Sequence, residues 1–181
     1  VKIVETGLDE VKLIEPDVFG DERGFFLEAW NARTFGEAGI DCDFVQDNHS
    51  RSSAGVLRGL HYQLVRPQGK LVRIVSGRAF DVAVDIRRSS PSFGQWVGFE
   101  LSARNKRMMW IPPGFAHGFL ALEDATDFLY KCTDFYAPEH DRAILWSDAQ
   151  IGIEWPLHGA APSLSAKDLA APLLREAELY E

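Results

Sequence analysis

Cysteine is scarce. The chain holds two, Cys42 and Cys132, in no spacing used by metal sites or redox motifs. This excludes a disulfide-stapled fold and suits a reducing compartment, so a cytoplasmic protein is expected. Long apolar runs are missing too. No stretch approaches the length of a membrane span, and the opening Val1-Lys2-Ile3-Val4-Glu5 carries no signal-peptide hydrophobic region. Positive charge is in deficit: 19 Lys and Arg stand against 27 Asp and Glu, a net charge of −8. Such a chain does not advertise nucleic-acid binding. An anionic ligand would need a local basic cluster set against the global field. Phosphate-loop signatures are absent as well. Phe19-Gly20-Asp21-Glu22-Arg23-Gly24-Phe25-Phe26 has neither the glycine spacing nor the following helix of a dinucleotide fingerprint. No repeats, low-complexity tracts or linkers interrupt the chain, and its 181 residues read as one domain over 1–181.

What is present is apolar and aromatic. Hydrophobic residues make up 46% and aromatics 12%, with five Trp and twelve Phe, enough for a sizeable core and weighted toward strands. Phe80, Val82, Val84 and Ile86 alternate with Asp81, Ala83 and Asp85, the period of a strand with two different faces. Leu71 to Val75 reads as a strand before it, joined through Ser76-Gly77-Arg78. Further strands are expected over 96–101, 107–111, 115–122 and 126–133. Helices look short: Ala32 to Ala38, with Asn31 as N-cap and Gly39 as stop, and a turn opened by Ser165-Ala166-Lys167-Asp168, a capping-box pattern limited by Pro172. Many short strands with Gly and Pro turns and no βαβ rhythm predict an all-β fold, an antiparallel jelly-roll barrel with short peripheral helices.

Chemistry concentrates in Leu57-Arg58-Gly59-Leu60-His61-Tyr62-Gln63, with Lys70 nine residues beyond His61. Histidine exchanges a proton near neutral pH. A base beside a cation is what proton abstraction next to a carbonyl requires: one group takes the proton and the other holds the enolate charge. His61 also fits a core histidine satisfied by one hydrogen bond, and Lys70 a surface lysine at a strand end. Tyr130 fits an ordinary barrel aromatic, though a buried phenol needs a partner. Asp168 fits a capping carboxylate and equally a group that orients the His61 ring. His117 with His61 suggests two parts of a metal site, but Gln63 stands where a further imidazole would be needed, so no closed ligand set is expected. Basic residues at Arg23, Arg58, Arg73 and Lys167 are scattered, and arginine forks suit phosphate oxygens.

Strings along nearly the whole chain carry a family resemblance. Besides the 19–26 and 57–63 segments they are Phe44-Val45-Gln46-Asp47-Asn48-His49-Ser50, Gly69-Lys70-Leu71-Val72-Arg73, Phe80-Asp81-Val82-Ala83-Val84-Asp85-Ile86-Arg87 and Pro91-Ser92-Phe93-Gly94-Gln95-Trp96. Pro113-Gly114-Phe115-Ala116-His117-Gly118-Phe119, Tyr130-Lys131-Cys132-Thr133 and Leu164-Ser165-Ala166-Lys167-Asp168 complete the set. The chain resembles the dTDP-4-dehydrorhamnose 3,5-epimerases of nucleotide-sugar metabolism. The resemblance implies a cupin-type jelly roll, a homodimer, no metal or other cofactor, and inversion of C3 and C5 in a dTDP-4-keto-6-deoxy sugar. By the same resemblance His61 is the base assisted by Asp168, Tyr130 returns a proton from the opposite face, and Lys70 stabilises the oxyanion. Arg23, Glu28, Gln46, Asn48, Arg58, His117 and Lys167 match positions around nucleotide and sugar, with Tyr136 stacking on thymine. Asp141 stands where relatives often carry Glu. A single-centre epimerase of another deoxysugar pathway shares the same catalytic groups. A sensor that only binds the nucleotide sugar would not need base, acid and orienter together.

Overall fold

The computed structural model describes all residues from Val1 to Glu181. In chain order it comprises β1 (Lys2–Val4), β2 (Lys12–Glu15), β3 (Val18–Asp21), β4 (Gly24–Leu27), helix α1 (Ala32–Glu37), β5 (Gln46–Ser52), β6 (Leu57–Gln63) and β7 (Lys70–Ser76). It continues with β8 (Arg78–Asp85), β9 (Trp96–Ser102), β10 (Met108–Ile111), β11 (Phe115–Ala121), β12 (Thr126–Cys132), β13 (Asp141–Ala143) and helix α2 (Ala166–Leu169). Two antiparallel sheets form the body, a six-stranded one ordered β1-β2-β10-β7-β12-β5 and a five-stranded one ordered β13-β6-β11-β8-β9. Hairpin β3–β4 pairs only with itself. The arrangement is the cupin-type jelly roll that the sequence predicts.

Alternation along each strand decides what faces the interior. Val72 and Ile74 of β7, Met109 and Ile111 of β10 and Phe128 of β12 meet Ala79 and Ala83 of β8, Leu101 of β9, and Phe115 and Phe119 of β11 in one buried cluster between the sheets. The other face of the five-stranded sheet is also covered. Val82, Val84 and Ile86 pack with Leu60, Ile144, Leu174 and Leu179, so the C-terminal segment closes over it. Burying each such aliphatic side chain stabilises by about 1.5–3 kcal/mol. The period-2 pattern of β8 therefore has an inverted meaning. Its polar positions, Asp81 among them, lie with Ala79 and Ala83 on the barrel side, while its valines face the C-terminal cover.

The helices match their caps. Asn31 Oδ1 accepts from the Arg33 and Thr34 N–H groups at 3.1 and 3.3 Å, and α1 stops before Gly39, which adopts φ +79°. Strands β1 to β4, β5, β6 and β13 are additions that period alone did not reveal. β5 is polar along its whole length, and β1 and β13 are three residues each.

One irregularity positions the site. His117 of β11 stands opposite His61, but Phe119 stands opposite Arg58, so the β6–β11 register shifts between them. Strict alternation would put Arg58 and His61 on opposite faces. The shift sets both on the face that Phe119 and His117 share. Gly59 makes this possible. Its φ is +136°, and a Cβ there would lie 2.5 Å from Gly118 Cα.

Candidate functional site

His61 projects inward from β6, and Asp168 reaches it from α2. His61 Nε2 and Asp168 Oδ1 are 2.5 Å apart, although the residues are 107 positions apart in sequence. His61 retains about a third of its side-chain exposure, while Asp168 is buried. Half of the capping box forms: Ser165 Oγ accepts from the Asp168 N–H at 3.1 Å, while the Asp168 carboxylate turns to His61. Burial pushes the Asp168 carboxyl up, but hydrogen bonds from His61, Ser165 and the Gly59 backbone outweigh it and leave it below the usual range. The ionised carboxylate is thus kept beside a ring that can become cationic.

The facing wall belongs to the six-stranded sheet. Lys70 opens β7, opposite Ile111 of β10 and Cys132 of β12. Burial lowers its pKa, while Cys132, Asp141 and Asp81 pull it back up. Tyr130 lies two residues before Cys132 on the same face, packed against the interior cluster with its ring 6.0 Å from Phe128. Burial raises the Tyr130 pKa, with Arg58 pulling it down, so the phenol keeps its proton at neutral pH.

Polar side chains continue outward from this wall. Asn48, opposite Tyr130, donates to Cys132 Sγ at 3.5 Å, and Gln46 donates to Asn48 Oδ1 at 3.1 Å. Gln46 Oε1 accepts from the Tyr136 backbone N–H at 2.9 Å. The Tyr136 hydroxyl donates to Asp141 at 3.3 Å, and Lys167 forms an ion pair with the same carboxylate oxygen. Asp141 thus binds both neighbours within the chain. Arg58 donates from Nε to Ser52 Oγ at 3.1 Å.

His117 is buried, with Nε2 2.7 Å from Asp81 Oδ1. Both imidazoles therefore hold a carboxylate partner. Gln63 gives its amide to the neighbouring loop, donating to Arg66 O and Phe135 O and accepting from the Ala137 N–H. No three His, Cys, Asp or Glu side chains gather closely enough to hold a metal ion.

Two of the sequence candidates are not brought to this cluster. Arg23 sits at the tip of hairpin β3–β4, largely exposed and paired with Asp21. Glu28 accepts from Asn31 and Thr34 near α1. Two residues escaped sequence reasoning. Ser52 gave no signal, being one serine in a polar strand. Asp81 did give one, a charged residue in an otherwise apolar alternation, but its face was not assigned.

The chain matches the family model for dTDP-4-dehydrorhamnose 3,5-epimerase over residues 5–176. It belongs to that family. It is 58% identical to the dTDP-4-dehydrorhamnose 3,5-epimerase of Pseudomonas aeruginosa over 99% of both chains. A solved dTDP-6-deoxy-D-glucose-3,5-epimerase from Legionella pneumophila, in complex with dTDP-4-keto-L-rhamnose, superposes with a TM-score of 0.96. It is 55% identical, over 99% of this chain and 97% of that one. A 3'-monoepimerase from Streptomyces bikiniensis, in complex with dTDP-quinovose, gives a TM-score of 0.88 at 33% identity, over 93% of this chain and 86% of that one. As a member of this family the protein is an isomerase, a dTDP-4-dehydrorhamnose 3,5-epimerase. No helix is long and apolar enough to cross a membrane.

Proposed function

We propose that this epimerase inverts C3 and C5 of dTDP-4-dehydro-6-deoxy-D-glucose, giving dTDP-4-dehydro-L-rhamnose, with residues His61, Asp168, Lys70 and Tyr130 in distinct roles. The observation that supports this reading is that His61 and Tyr130 stand on facing walls. His61 extends from the five-stranded sheet, Lys70 and Tyr130 from the six-stranded one. Both reacting carbons flank the C4 ketone, so loss of either proton gives an enolate. His61 takes the proton, and Asp168 holds the ring and balances the imidazolium. Lys70 faces the developing charge on the C4 oxygen. Tyr130, still protonated, delivers a proton to the opposite side of the same carbon, which inverts it.

Arg58, Gln46, Asn48, His117, Tyr136, Asp141 and Lys167 are proposed to bind the nucleotide sugar, Arg58 and Lys167 meeting the diphosphate. Arg23 and Glu28 require a second copy of the chain. We propose a homodimer in which the exposed β3–β4 hairpin carries them toward the partner's barrel. Residues 1–181 then act as one domain per subunit. A cytoplasmic setting agrees with two unpaired cysteines.

The test is proton NMR in D₂O with the 4-keto sugar nucleotide. The expected result is deuterium at both C3 and C5 and an L-lyxo product. Deuterium at C3 alone would reassign the protein as a monoepimerase, and none at either carbon would leave a binder. A Tyr130→Phe variant should still exchange a substrate proton through His61 while forming little inverted product.

A further inference from the structure

The barrel interior holds an acid–base pair that the reaction above leaves without a task. Asp81 is fully buried on β8, between Ala79 and Ala83 on the inward face. One carboxylate oxygen, Oδ1, lies 2.7 Å from His117 Nε2. The other, Oδ2, is the one buried side-chain oxygen or nitrogen in the molecule with no hydrogen-bond partner. An orphaned carboxylate oxygen destabilises the fold, so its retention calls for a cause. Its surroundings are rigid. β8 lies between β11 and β9, and β11 sets His117 opposite both Ala83 and His61.

We propose that Asp81 is a positioning residue acting through two neighbours. Its Oδ1 fixes the His117 ring with the proton on Nε2, and its charge, inside the same barrel interior as Lys70, favours the Lys70 cation facing the site of the enolate oxygen. The role given to Lys70 rests on the epimerase reading; the hold on His117 does not.

Charge balance supports both halves. Burial drives His117 toward its neutral form, opposed by Asp81, and the remaining charges it feels are Lys70 and His61. A neutral ring bonded to a carboxylate through Nε2 is the donor, leaving Nδ1 bare as an acceptor. Lys70 meets burial, which lowers its pKa, against Cys132, Asp141 and Asp81, which raise it, with Lys167 lowering it again. Burial pushes the Asp81 carboxyl up, and the neighbouring His117 and Lys70 oppose that rise. In turnover the proton that leaves carbon makes His61 cationic as the enolate oxygen becomes anionic, so the interior gains no net charge.

Two measurements test the proposal. Ring ¹⁵N NMR of His117 in the wild-type protein, without substrate, should show one neutral form protonated on Nε2 from about pH 6 to about pH 9. A ring that titrates freely in that range, or carries its proton on Nδ1, overturns the hold on His117 whatever reaction the protein catalyses. The second is the pH–rate profile of Asp81→Asn. Removing a charge that raises the Lys70 pKa lets Lys70 lose its proton at lower pH. The alkaline limb should therefore move down, kcat at about pH 9 should fall at least tenfold, on the order of a lost acid–base contribution, and binding of dTDP should hold. A uniform loss with an unmoved limb means a structural role only and refutes the Lys70 half. Failure of wild-type protein to exchange substrate protons with D₂O refutes the epimerase reading instead. If Asp81→Asn does not fold, the wild-type spectrum still decides on His117.

Discussion

His61 of β6 and Asp168 of α2 meet at 2.5 Å, an imidazole with about a third of its surface open and a carboxylate with almost none. The asymmetry suits the tasks proposed for them, a ring open to substrate and a carboxylate that meets only the ring. His61→Asn should lower kcat by about 10²- to 10⁴-fold with nucleotide binding nearly intact, since a lone general base contributes on that scale. Asp168→Asn should cost less, because the ring remains and only its orientation and charge support are lost. Both are read by steady-state kinetics with dTDP binding measured alongside. Activity of His61→Asn within a few-fold of wild type would remove His61 as the base. The carboxylate's role was half legible in the sequence. Ser165-Ala166-Lys167-Asp168 announces a cap, but which way the carboxylate turns is settled by where β6 lies, 107 positions away.

At the scale of elements, the β6–β11 pair carries the most information. Arg58 and His61 are three residues apart, a separation that strict alternation splits between two faces. The register shift around Gly59 unites them. A period-2 reading does not contain this, because a bulge is negotiated with the neighbouring strand. Gly59→Ala should therefore destabilise by about 1–3 kcal/mol, the range for a forced small-to-large change in a packed site, through the clash with Gly118. It should also impair catalysis by moving Arg58 against His61. Gly36→Ala in α1 is the control. A Cβ there meets nothing within 4 Å, and the change should be neutral or mildly stabilising. Thermal and denaturant midpoints compare the two, and equal midpoints would disprove the packing argument. The strands over 71–75, 96–101, 115–122 and 126–133 were legible because apolar alternation and turn residues agree there. β5 was not, because its residues are Gln, Asp, Asn, His, Ser and Arg, which by themselves look like a loop.

For the whole molecule the unresolved demand is a positive field for an anionic sugar nucleotide on a chain of net charge −8. Within one chain Arg58 and Lys167 reach the site, and Arg23 does not. The hairpin that carries Arg23 also exposes Phe19, Phe25 and Phe26, each more than half open. Single exposed apolar residues are ordinary, but three on one ten-residue hairpin that pairs with no other strand suit a contact surface. Phe26→Asp should shift the protein toward monomer in light scattering and raise the KM for the sugar nucleotide. Full activity in a strictly monomeric wild-type sample would defeat the dimer.

The strap that delivers Asp168 has one further consequence. Ser163 bonds to Gly55 and Leu57 through its backbone, Leu145 donates to Pro172 O, and the Tyr180 hydroxyl reaches Gln63 O. His61 on β6 thus gains its carboxylate only when the segment carrying Asp168 has been fastened down. A ribosome-bound precursor long enough to build both sheets but ending before Asp168 would hold a histidine without its partner. Truncation before Asp168 should therefore leave both sheets' sequences intact while abolishing epimerase activity, and activity retained by such a truncation would disprove the dependence of His61 on this strap.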